Sequence, residues 1–207
     1  MKKGLIIALA LVSFGTMAQS TDGMTAVFED GFTNNVNAWL LEETGRETSW
    51  INYNENRLVL EADGGGRVTM TAPSGFNGDF VIKGNVWCKE CSGEDNASFG
   101  LIFGYSTFGN KATEGWYQIR LTQDGGDGVW IKANNANGST LYEQTVRAAF
   151  DPDDANEIAV QRSGETVTFY LNGTEVYSNV STETIGNKIS FIGSGTKCFM
   201  SSLSMFN

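Results

Sequence analysis

The sequence predicts an all-β fold of the sandwich or barrel kind, and three observations carry that prediction. Apolar and polar residues alternate with a period of two in many short runs, clusters of Gly, Asn, Asp and Ser separate the runs, and no window sustains a 3.6-residue apolar period. The clearest case is Asn156–Gly173. Here Glu157–Ser163 and Thr166–Asn172 alternate, meet at Ser163-Gly164-Glu165 and end on Asn172-Gly173, the signature of a β-hairpin. Ile158 and Val160 share one face of the first strand, and Val167, Phe169 and Leu171 share one face of the second.

Strands are expected at Ala26–Asp30, Ser49–Asn52, Arg57–Ala62, Arg67–Ala72, Phe80–Trp87, Phe99–Tyr105 and Trp116–Thr122. They continue at Val129–Ala133, Leu141–Val146, Glu157–Arg162, Thr166–Asn172, Thr174–Tyr177, Lys188–Phe191 and Phe199–Phe206. Turns are expected at Asp63–Gly66, Asp124–Gly128, Asn134–Gly138 and Gly193–Gly195, where Gly, Asn and Asp accept positive φ. Alternation then assigns faces. Phe80, Ile82, Val86 and Cys88 point inward and Lys83, Asn85 and Trp87 outward. Tyr117, Ile119 and Leu121 point inward, with Trp116, Gln118 and Arg120 outward. Val129, Ile131 and Ala133 point inward, with Trp130 and Lys132 outward.

Lys2 and Lys3, the apolar stretch Leu5–Val12 and the small-x-small triplet Thr16-Met17-Ala18 form the pattern of a secretory signal peptide cut before Gln19. Residues 1–18 are expected to be that signal and 19–207 a single domain, exported to the periplasm or the extracellular space. The apolar stretch is shorter than the roughly 20 residues a bilayer span needs, so no membrane span is expected. The 207 residues carry 14 Lys+Arg and 24 Asp+Glu, a net charge of −10; without Lys2 and Lys3 the balance is 12 against 24, or −12. Such a surface repels phosphate backbones, so nucleic acid is not an expected partner. Histidine is absent, which excludes Ser-His-Asp and Cys-His catalysis and imidazole-based zinc sites. Of Cys88, Cys91 and Cys198, one pair is expected to bridge in an oxidising compartment, leaving one thiol. Cys88-x-x-Cys91 follows a strand and does not open a helix, which suits a structural bridge better than a redox motif.

Several stretches, in order along nearly the whole domain, carry a likeness to known proteins. They are Phe28-Glu29-Asp30-Gly31-Phe32 with Trp39, Gly100-Leu101-Ile102-Phe103-Gly104, Trp116-Tyr117-Gln118-Ile119-Arg120-Leu121, Gly128-Val129-Trp130-Ile131-Lys132, Asn156-Glu157-Ile158-Ala159-Val160 and Phe169-Tyr170-Leu171-Asn172-Gly173. In these the chain resembles the concanavalin A-like lectin/glucanase superfamily, in its laminin-G-like and 3-keto-disaccharide-hydrolase-like branches. The resemblance implies a jelly-roll sandwich of two antiparallel sheets, one of them concave. It also implies that the last strand lies near Phe80–Trp87, so that Cys198 bridges to Cys88 or Cys91. The superfamily's catalytic Glu-x-Asp-x-Glu pattern does not carry over. Its nearest approach here, Glu61-Ala62-Asp63, runs into Gly64-Gly65-Gly66 without a second glutamate, and the histidine of alginate-lyase-like members is missing.

The leading expectation is therefore an exported, non-catalytic module that binds carbohydrate or another extracellular ligand through one sheet face. The outward row Trp87, Trp116, Gln118, Arg120, Trp130 and Lys132 supplies rings for the C–H faces of sugars and polar groups for their hydroxyls. The same rings would also serve as cross-strand pairs or a second small core. No cofactor is called for. Asp151, Asp153 and Asp154 offer the one candidate ion site, for Ca²⁺, although Asp151-Pro152-Asp153-Asp154 equally reads as a solvated turn. The loop Gln123–Gly128 is a sugar-gripping loop or a hairpin connection. An enzymatic alternative, a glycosidase-like hydrolase, would use dispersed carboxylates, with Glu90, Glu94, Asp124 and Asp127 as candidates. A structural or adhesive surface module is the third reading.

Overall fold

The computed structural model describes residues 19–44, 47–73, 76, 78–89, 97–105, 115–123, 127–182 and 185–207; the expected signal peptide lies outside them. No helix among them is long and apolar enough to cross a membrane. The strands are β1 (Ala26–Asp30), β2 (Glu47–Asn52), β3 (Arg57–Thr71), β4 (Phe80–Lys89), β5 (Ser98–Tyr105) and β6 (Trp116–Thr122). They are followed by β7 (Gly128–Asn134), β8 (Thr140–Arg147), β9 (Asn156–Ser163), β10 (Thr166–Leu171), β11 (Thr174–Val180) and β12 (Lys188–Phe206). They pair antiparallel along one hydrogen-bonded path, β11-β10-β9-β4-β12-β5-β6-β7-β8, with β1 and β3 also on β12 and β2 on β3.

That path doubles back into the two layers of a sandwich because β3 and β12 are long enough to serve both. The first half of β12, Lys188–Ser194, lies between β3 and β5. The second half, Lys197–Phe206, lies against β4, with β3 and then β1 on its other side. The front layer is thus β8-β7-β6-β5-β12-β3, and the back layer is β11-β10-β9-β4-β12 with β1, β3 and β2. Both long strands change layer at glycines, Gly64–Gly66 in β3 and Gly193–Gly195 in β12, where the register slips between Ser194 and Thr196. These clusters, expected to be turns, are bends inside continuous strands, so four expected strands merge into two. Each bend is held by the partner strand's own bend, and glycine supplies the twist without reversing the chain. The other strands fall within three residues of their expected ends.

The expected inward set forms the core: Phe80, Ile82, Val86, Cys88, Tyr117, Ile119, Leu121, Val129, Ile131, Ala133, Ile158, Val160, Val167, Phe169 and Leu171 all belong to one buried cluster. Rings interlock across the two layers, with Phe80 and Phe103 at 6.0 Å, Tyr117 and Phe169 at 6.5 Å, and Tyr142 and Phe169 at 6.2 Å. Burying each such side chain contributes about 1.5–3 kcal/mol. The β10–β11 turn is Asn172-Gly173 with φ of 50° and 75°, the pair of positive values a type I′ hairpin turn needs.

At the N-terminal edge, buried Asp30 ties the Phe28–Trp39 stretch together. Its Oδ1 accepts from Phe32 N at 2.7 Å and its Oδ2 from Trp39 Nε1 at 2.8 Å. This holds the Phe32 and Trp39 rings 5.8 Å apart in the core.

The expected long-range disulfide is corrected. Cys198 does sit directly opposite Cys88 in the β12–β4 register, yet it is a free, buried thiol. Its Sγ turns to the other flank, donating to Leu60 O of β3 at 3.4 Å and packing into the space left by Gly193, where a Cβ would collide with the sulfur. Cys91 lies outside the described residues.

Candidate functional site

Hydrogen-bonded register arranges the outer face of the front layer in straight rows. One row is Thr69–Ser190–Ile102–Gln118–Lys132–Glu143, crossing β3, β12, β5, β6, β7 and β8. The next is Arg67–Ile192–Gly100–Arg120–Trp130–Thr145 over the same strands. A groove of about 720 Å³ opens over the β3-to-β6 part of these rows, lined by Leu40, Glu42, Glu47, Gly65, Gly66, Arg67, Thr69, Ile102, Arg120, Ile192, Gly193 and Ser194. Ile102 and Ile192 form its apolar floor. Gly100 leaves a gap between Ile192 and Arg120, because β5 approaches β6 so closely that a Cβ would run into the Ile119 carbonyl oxygen. The far wall is formed by β2 and the segment preceding it: Leu40 bridges to Thr69 as an added edge, and Glu47 accepts from Arg67 N at 2.7 Å.

Arg120 is the groove's wall on the β6 side, and its neighbours hold it still. Gln118, buried on the same face, turns its amide oxygen to the guanidinium and accepts from Nε and, at 2.6 Å, from Nη2. Ser98 Oγ accepts from Nη1 at 3.4 Å. The guanidinium carbon stands 5.2 Å from the Trp130 ring centroid, in cation–π range. Lys132 Nζ lies 5.8 Å from the same ring and pairs with Glu143 at 2.9 Å. Trp130 is thus flanked by two cations and remains partly exposed beside the groove. Burial pushes the Arg120 guanidinium down to about 10.

The structure brings together five of the six expected ligand-binding residues on this one face: Trp116, Gln118, Arg120, Trp130 and Lys132. Among these, Arg120 lines the groove, Gln118 props it, Trp130 and Lys132 stand beside it, and Trp116 lies further along β6 opposite Asn134. Trp87 is a correction. It lies on β4, on the outer face of the back layer, stacked on Phe199 at 5.3 Å with Arg57 over both rings. The β3, β12 and pre-β2 contributors were missed by sequence reading. The signal for two floor residues was present: Leu101-Ile102-Phe103 and Phe191-Ile192 are apolar on both faces, which alternation alone does not require.

The candidate calcium residues are not gathered into a site; no group of three metal-binding side chains occurs among the described residues. Asp151 Oδ1 accepts from Asp153 N at 3.1 Å, and Asp154 Oδ1 accepts from Ala155 N at 2.7 Å. Buried Asn156 organises the turn by donating to the carbonyls of Asp151 and Asp154 at 2.6 and 2.8 Å. These carboxylates are turned to their own backbone, as in a turn and unlike a cation cage. Of the alternative catalytic carboxylates, Glu90, Glu94 and Asp124 lie outside the described residues. Asp127 is exposed, accepts from Gln123 at 3.5 Å and does not line the groove.

This two-layer β-sandwich is a jelly roll of the concanavalin A-like class, and solved structures of that class superpose on it over most of its length. It is similar to the carbohydrate recognition domain of Emp47p (TM-score 0.63, 12% identity, covering 91% of this chain and 99% of that one). It is similar also to an endo-β-1,3-glucanase from Pyrococcus furiosus (TM-score 0.63, 10% identity, 92% and 98%) and to the carbohydrate-binding module CBM66 from Bacillus subtilis (TM-score 0.52, 15% identity, 86% and 92%). No protein-family model matches the chain, and no curated protein sequence matches it. At these identities the likeness speaks for the fold, and function has to come from the site.

Proposed function

We propose that the protein is an exported carbohydrate-binding module that holds a glycan across the outer face of its front layer. The observation that carries this reading is the groove itself: an apolar floor of Ile102 and Ile192, a guanidinium pinned by Gln118 and Ser98, and a partly exposed tryptophan in register beside it. Aromatic and apolar surface suits the C–H faces of a sugar, and the polar walls suit its hydroxyls. Carbohydrate-binding domains among the similar structures support the reading.

Affinity electrophoresis of the protein through a panel of neutral and acidic polysaccharides tests it. Retardation by at least one polymer is expected, with Trp130→Ala weakening it by about 1 kcal/mol or more and Trp87→Ala, on the opposite layer, leaving it unchanged. No retardation by any polymer would refute the reading. Export is tested by N-terminal sequencing of protein recovered outside the cytoplasm, with Gln19 expected as the first residue.

A second reading, a glycoside hydrolase, has one observation in its favour: Glu42 and Glu47 line the same groove. Paired carboxylates across a sugar site are the machinery of glycoside hydrolysis. Overnight incubation with any polymer that is retarded, followed by product analysis, decides between the two; products lost in Glu47→Gln would establish the enzyme.

A further inference from the structure

We infer that the groove is built for an acidic sugar, with the oxyanion of its carboxylate, or of a sulfate ester, seated on Arg120. This deepens the carbohydrate-binding reading and rests on it.

Among the described residues, no carboxylate stands against the Arg120 guanidinium. The ion pairs Arg57–Glu55, Lys83–Glu157, Lys132–Glu143 and Lys197–Glu61 leave Arg120 out. Lys132, its neighbour across the strand pair, is neutralised by Glu143. The groove's own carboxylates, Glu42 and Glu47, belong to the opposite wall. Arg67, which shares that wall, is separated from Arg120 in its row by β12 and β5, three strand spacings or about 14 Å. A partly buried cation without a nearby carboxylate is expensive to keep, and here three neighbouring side chains hold it in place with no anion among the described residues to match it.

The guanidinium's donors point the same way. It has five N–H groups in a rigid plane. Gln118 takes the Nε–Nη2 edge and Ser98 takes one N–H of Nη1. What remains is one N–H on Nη1 and one on Nη2, two donors held in one plane; with Ser98 on the Cδ side of Nη1 they are the parallel pair at the tip. That pair matches the two oxygens of a carboxylate in bidentate fashion. A neutral hydroxyl would use one of them and leave the other unmet. The rest of the groove needs no charge to do its part: Ile102 and Ile192 take the ring, and Ser194 Oγ, donating to Gly64 O, keeps its lone pairs for a sugar hydroxyl.

The test uses short oligosaccharides, because a long polyanion would also feel the protein's net negative charge. Uronic-acid oligomers from several polymers are titrated into the protein calorimetrically, each beside its carboxyl-reduced counterpart, with sulfated oligomers as a separate arm. At least one uronate is expected to bind about tenfold or more tightly than its reduced partner, the range for a charge-assisted pair. Arg120→Gln should abolish that preference, and Arg120→Lys should keep part of it. Preference for a sulfated oligomer over all uronates, lost in the same variant, would support the oxyanion seat and assign it to the ester. Equal affinity for an acid and its reduced form, or binding of neutral sugars alone that is lost in Trp130→Ala but not in Arg120→Gln, would overturn this inference while leaving the carbohydrate reading intact. Binding of no sugar at all would overturn both.

Discussion

At the scale of single residues, the side chains that decide the most are polar ones set against apolar neighbours. Asp30 holds one backbone N–H and one indole N–H inside the core. Asp30→Ala is expected to destabilise the fold by about 2–3 kcal/mol, because two buried donors lose a charged acceptor, and urea denaturation followed by tryptophan fluorescence measures it. Cys198 is the opposite case. Burial holds its thiol well above the ordinary range, so it should resist thiol reagents in the native protein and react fully once denaturant is added. Arg120 sets a pH signature. Between its native value of about 10 and the higher value of an exposed guanidinium, the unfolded chain binds more protons than the native one. This group's burial penalty is therefore felt in full below that window and fades as pH rises through it. Attraction for an anion runs the other way. The affinity for an acidic oligosaccharide should be level up to about pH 9 and decline above it; a decline already between pH 7 and 8 would point to some other group. Outward-facing Trp116, Gln118, Arg120, Trp130 and Lys132 were legible from alternation. The burial of Gln118 and the hold it has on Arg120 were not, because nothing in a single strand shows which residues its neighbours bring alongside.

Among the elements, the hairpins were the most legible and the long strands the least. Asn172-Gly173 determines its turn locally, through two positive φ values. Gly64–Gly66 and Gly193–Gly195 read as turns for the same local reason, yet each bends within a strand because the other bends beside it. Local chemistry permits both outcomes, and only the pairing decides. The same cause placed Trp87 with the wrong company: its outward orientation was right, but β4 joins the back layer through β12 and β9. The β12 bend makes its own prediction. Gly193→Ala should destabilise by about 1–3 kcal/mol through overpacking against the Cys198 sulfur. Combined with Cys198→Ala, the cost should be less than additive, which a double-mutant cycle in denaturant would reveal. Additive losses would show that the bend, and not the sulfur, excludes the methyl group.

For the molecule as a whole, the all-β class and the inward residues followed from periodicity, whereas the groove was hidden because its walls come from residues far apart in sequence. Glu47 and Arg120 are brought to one cavity through the succession β2-β3-β12-β5-β6, which no short window contains. The absence of histidine also acts at this scale. With no imidazole to titrate, surface charge changes little between pH 6 and 8, so ligand affinity should be flat over that interval. The dual membership of β12 has a consequence for the order of events in a newly made chain. Chains are synthesised from the N-terminus, and Lys188–Phe206 is the strand on which β1, β3, β4 and β5 all pair. Until it emerges, β4 has only β9, β5 has only β6, β3 has only β2, and β1 has no partner among the described strands. The centre of both layers therefore closes only once Lys188–Phe206 is available, and the strands made before it wait for that partner.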